Sequence, residues 1–128
     1  MKKISLLTKV LFHITNILLI ILYLYPGSIL GWLIYGNIQK QPQITSDFIF
    51  SSNHVYAFLI LSLLGLFSYY KKNIKILFLY LFFISIFLES LHYMIPQRSF
   101  EYKDLFGNFF GVLIVFLLSN IYKFFKKI

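Results

Sequence analysis

The chain has 128 residues, 59% hydrophobic and 21% aromatic, with 12% charged and a mean hydropathy of +0.80. A soluble domain carries about 25% charged residues, so this composition excludes an ordinary soluble enzyme and predicts one small membrane domain over residues 1–128. The absence of cysteine excludes disulfides, thiol nucleophiles and thiolate-held metals, while the net charge of +8 comes from lysines at the ends of apolar runs and points to anionic lipid headgroups, not nucleic acid.

In chain order, the first apolar run, 10–25, stops at Pro26-Gly27 and predicts a helix over about 8–25. Lys2 and Lys3 precede it as they would a secretory signal. The run is long for a signal core and no small-x-small cleavage site follows, so a retained helix is expected. A short apolar piece at 29–35, bounded by glycines, is too short to span and reads as an interfacial or re-entrant continuation of that helix. After the polar stretch GNIQKQPQITSD, a second run predicts a helix at 53–70, ended by Lys71-Lys72. The third, 74–95, halts at Pro96, and the fourth, 104–123, ends at Tyr122-Lys123. The fold class expected is all-α, a four-helix transmembrane bundle.

Orientation follows from the positive charges. Nine of the twelve, Lys2, Lys3, Lys9, Lys71, Lys72, Lys75, Lys123, Lys126 and Lys127, fall on one side, and Lys40, Arg98 and Lys103 on the other. Both termini are therefore expected in the cytoplasm, in a bacterial inner membrane, with the loops around 26–53 and 95–104 outside.

That topology brings polar residues of three helices to one depth: His54 opening the second, Glu89 and His92 near the end of the third, Asp104 and Asn108 opening the fourth. Glu89 precedes Pro96 by enough residues to lie roughly 9 Å down its helix. An ionised carboxylate there needs a partner, and His54, His92 and Arg98 are the partners on offer. Ser85, Glu89, His92 and Pro96 share one helical face, as do Asp104, Asn108 and Gly111. Gly107 and Gly111 form a small-xxx-small face that admits a close neighbour and offers a homo-oligomer interface.

The segments SSNHVYAFLILSLLG and LESLHYMIPQRSFEYKDLFGNFFG, with LYPGS before them, resemble the VanZ-like family of small bacterial membrane proteins. The matching positions are His54, Glu89, Pro96, Arg98, Ser99, Asp104, Asn108 and Gly111. His92 stands where the family has Gln, Gln97 where it has Gly, and Phe50-Ser51 where it has an Asp-Lys pair. The resemblance implies a four-helix membrane fold and an envelope role tied to glycopeptide (teicoplanin-type) resistance.

Two functions are expected of the cluster. In the first, His54, Glu89, His92, Arg98, Ser99, Asp104 and Asn108 line an outward pocket for an anionic lipid-linked molecule, such as a cell-wall precursor, or for a glycopeptide, with Arg98 holding phosphate or carboxylate. In the second the chain is a membrane hydrolase or transferase with Glu89, His54 and Asp104 as catalytic residues. A purely structural subunit is the plain alternative. Glu89 and His92 have the Glu-x-x-His spacing of metal bundles, but in a single copy. A metal at His54, Glu89, His92 and Asp104 is thus the lesser reading, and neither metal nor cofactor is expected.

Overall fold

The computed structural model describes residues 2–127, and among them all regular structure is helical. α1 is Lys2–Leu24, α2 Ile29–Tyr35, α3 Ser52–Tyr69, α4 Ile74–Ser90 and α5 Tyr102–Lys127, with a 3₁₀ turn at Leu91–Tyr93 following α4. All but α2 are long and apolar enough to cross a membrane, as the apolar runs predict. The 18 residues of α3 rise roughly 27 Å, close to the hydrocarbon thickness of a bilayer.

The segment at 29–35 is a helix in its own right, not a continuation of α1. Pro26 removes a backbone donor and Gly27 turns the chain at φ +112. Ser28 Oγ then accepts the Gly31 N–H at 2.9 Å to start α2, and Gly36, at φ +65, closes it by donating to the carbonyls of Gly31 and Trp32. The returning loop crosses so close that a Cβ on Gly31 would lie 1.7 Å from the Lys40 carbonyl oxygen. Only glycine fits there.

The third run is predicted to be helical to 95, but α4 ends at Ser90 and tightens into the 3₁₀ turn. His92, in that turn, places Nδ1 3.2 Å from Glu89 Oε1 on the last turn of α4. The chain then turns at 95–98, where the Arg98 N–H reaches the Ile95 carbonyl at 3.3 Å and Gln97 takes φ +60. A turn with positive φ at its third position favours glycine, and Gln97 holds it here.

α3 is central, packing on α1, α4 and most extensively α5, while α4 also lies against α5. Phe58, Leu61, Leu81 and Val112 are wholly buried between them. Lipid tails are as apolar as leucine, so helices associate through close packing and small residues. Gly111 provides the closest approach, since a Cβ there would lie 2.6 Å from the Val55 carbonyl oxygen. The neighbour that Gly107 and Gly111 admit is therefore α3 of the same chain, and a homo-oligomer through α5 would have to use another face. Buried Ser68, Ser85 and Ser119 satisfy their hydroxyls on the carbonyls of Leu64, Phe82 and Phe116. Ile17, Ile21, Leu79, Phe83 and Leu118 are exposed on the outside of the bundle.

Candidate functional site

The end of α1, the start of α3, the end of α4 and the start of α5 converge at one end of the bundle, under the loops at 36–51 and 94–101. His13 lies away from this cluster, with its Nε2 2.9 Å from the Tyr69 hydroxyl.

Asp47 anchors the start of α3. The cap residue Ser51 makes no side-chain cap bond; instead Asp47 Oδ1 accepts the Ser52 N–H at 3.0 Å while Oδ2 meets Lys103 Nζ at 2.6 Å. The hydrogen bond from Lys103, followed by that from Ser52, holds the Asp47 carboxyl below its ordinary value of 3.8. An Asp-Lys ion pair is thus formed between the loop before α3 and the first turn of α5.

His54 is oriented by Asn108, which is completely buried. Asn108 Nδ2 donates to the Ser85 carbonyl at 3.1 Å, so Oδ1 points at the Tyr23 hydroxyl and at His54 Nδ1, the latter 2.8 Å away. An amide oxygen only accepts. His54 Nδ1 therefore carries a hydrogen, and Nε2 faces Asp104 Oδ2 at 3.5 Å.

Glu89 is also fully buried. Its Oε1 accepts the Glu101 N–H at 3.2 Å and lies 3.2 Å from His92 Nδ1. His92 Nε2 donates to the Tyr23 carbonyl at 2.9 Å, and its ring stacks on the Tyr23 ring. No hydrogen-bond donor among the described residues reaches Glu89 Oε2, which lies 4.0 Å from His54 Nδ1. One donor atom each from His54, Glu89 and Asp104 lies within 4.8 Å of the others. His92 stands outside that set.

Arg98 is turned elsewhere. Its Nε donates to the Tyr25 carbonyl at 3.1 Å, and Nη2 donates to those of Leu22 and Gly27 at 2.6 and 2.7 Å. These carbonyls belong to the end of α1 and the turn beyond it, so the guanidinium caps a helix C-terminus and satisfies its backbone. Ser99 is exposed beside it.

A cavity of about 710 Å³ opens next to the cluster. His54, Asp104 and Arg98 border its polar part, and Leu18 of α1, Ile34 of α2 and Ile60 of α3 its apolar part. The last three are themselves exposed on the outer surface. Glu89 lies behind His54, away from the cavity wall.

Sequence reasoning missed Tyr23, which touches His54, Asn108 and His92 at once. Its signal was its phase: Phe12, Leu19 and Tyr23 recur at helical spacing and are the buried stripe of α1. Lys103 was missed because its partner Asp47 is far away in sequence.

No protein-family model, curated protein or solved structure matches the chain.

Proposed function

We propose that this is a VanZ-like multi-pass protein of the bacterial inner membrane whose cavity receives an amphiphilic, lipid-linked molecule with an anionic head. The observation that carries this reading is the continuity of the cavity, polar at His54 and Asp104 and apolar along Leu18, Ile34 and Ile60. An amphiphile needs both surfaces, and the apolar one adjoins the lipid-facing side of α1 and α3, so a tail enters from the bilayer. The nine-to-three division of positive charges supports an outward-facing cavity and cytoplasmic termini. The likeness of His54, Glu89, Arg98, Asp104 and Asn108 to the VanZ-like pattern supports an envelope role, with the ligand a cell-wall precursor or a glycopeptide and the outcome antibiotic resistance.

The alternative is a membrane-embedded hydrolase or transferase. It draws on the orientation of His54: Asn108 holds Nδ1 and leaves Nε2 beside the cavity, where a general base would stand. Glu89 is too enclosed to meet a substrate directly and would act through His54.

Ala57 lines the cavity one turn beyond His54 and is not part of the polar network. Ala57→Trp is expected to fill the cavity and abolish retention of the amphiphile that wild type carries through purification in mild detergent. Native mass spectrometry reads this directly. Wild type without any retained amphiphile, or equal retention in Ala57→Trp, would overturn the binding reading.

A further inference from the structure

We infer that His54, Asp104 and Glu89 bind one divalent transition-metal ion of the Zn²⁺ class at the inner end of the cavity. The hydrogen-bond inventory leads there. With Nδ1 committed as a donor to Asn108 Oδ1, a neutral His54 aims the lone pair of Nε2 at the Asp104 carboxylate, 3.5 Å away. Two acceptors facing each other repel, so a cation belongs between them. A charge-assisted N–H···O bond would draw the pair to about 2.7–2.9 Å. Donors on a tetrahedral zinc, with bonds of 2.0–2.2 Å, stand about 3.3–3.6 Å apart.

Glu89 supplies a second, independent indication. Its Oε2 is completely buried, without a hydrogen-bond partner among the described residues, and belongs to a group in which one donor atom each from His54, Asp104 and Glu89 lies within 4.8 Å of the others. An unpartnered carboxylate oxygen in a bundle interior is unfavourable, and a metal ion in the His54–Asp104–Glu89 group satisfies it. The surroundings of His54 are those of a ligand as well. Metal-bound histidines donate their second ring N–H to an oxygen acceptor, which fixes tautomer and ring plane, and Asn108 Oδ1 performs this here.

One imidazole and two carboxylates suit zinc, manganese or ferrous iron better than a soft thiophilic ion. Asp104 and His54 border the cavity, so the ion's remaining coordination position opens into it. Resting on the amphiphile reading, that position is where a phosphate or carboxylate head would bind, while the Nε and Nη2 donors of Arg98 are spent on the carbonyls of Leu22, Tyr25 and Gly27.

The test is metal loading of the full chain in mild detergent. Protein stripped with chelator is titrated with Zn²⁺, and the bound ion is counted by plasma mass spectrometry; Co²⁺ replaces Zn²⁺ for a visible spectrum reporting nitrogen and oxygen ligands. The expected result is one saturable ion per chain, bound at least tenfold more weakly in Asp104→Asn and Glu89→Gln and unchanged in Glu101→Gln, a nearby carboxylate outside the set. Absence of saturable binding in wild type, the result if a proton occupies the space instead, overturns the site. Binding undiminished in Asp104→Asn overturns it too. Asp104 is partly exposed, so that variant serves even where Glu89→Gln fails to fold. The readout is the ion alone, and it decides the site whether or not an amphiphile is retained.

Discussion

Arg98→Ala is expected to lose about 2–4 kcal/mol of stability with no ligand present, because hydrogen bonds from a charged donor contribute ~1.5–3 kcal/mol each and are not additive. The guanidinium holds the carbonyls of Leu22, Tyr25 and Gly27, where α1 breaks into the turn before α2. Removing it leaves those oxygens without their donor in a partly buried place. Arg98→Lys should recover only part of the loss, since a single ammonium cannot reproduce the planar fork that reaches all three. Thermal unfolding in detergent checks both variants. A residue that served only to clamp a ligand would show no such effect in the ligand-free protein, and an Arg98→Ala protein as stable as wild type would contradict the capping role.

Gly111→Val is expected to cost more than about 3 kcal/mol, the range reached when a tightly packed interior is overfilled. The atoms a Cβ would meet are the Val55 carbonyl oxygen at 2.6 Å and the Leu59 nitrogen at 3.0 Å, both backbone. They cannot rotate away, so the helices must separate. His54 is on α3 while Asp104 and Asn108 are on α5, which means the same wedge pulls the polar cluster apart. The expected signature is joint: a lower unfolding midpoint and loss of retained amphiphile. Wild-type stability in Gly111→Val would contradict the packing described for α3 against α5.

Much of this was legible beforehand because a bilayer leaves few choices. Apolar runs of spanning length, stopped by Pro26, by Lys71-Lys72 and by Pro96, announce four helices, and residues at the matching ends of those helices must meet. His54, Glu89, Asp104 and Asn108 are brought together on those grounds alone. The roles were harder to read. Arg98 looked like an anion clamp because a sequence shows a cation near acids and does not show carbonyls left open at the end of α1. The early stop of α4 at Ser90 depends on a 3₁₀ turn that no residue pattern at 91–93 marks. Asp47 and Lys103 become neighbours only when the loop before α3 folds onto the first turn of α5.

The central claim is that the polar cluster is a site and not merely scaffolding, and Asp104→Asn tests it most directly. Asp104 is partly exposed and faces His54 Nε2 at 3.5 Å. As an acid in the first turn of α5 it contributes about 0.3–1 kcal/mol through the helix dipole. Unfolding midpoint and retained amphiphile should be measured side by side on this variant and wild type. The account predicts a stability change of no more than about 1 kcal/mol, with amphiphile retention lost at least tenfold because the ion inferred to hold the anionic head loses its Asp104 ligand. A marked fall in stability with the amphiphile still bound would contradict it and return the cluster to a structural role.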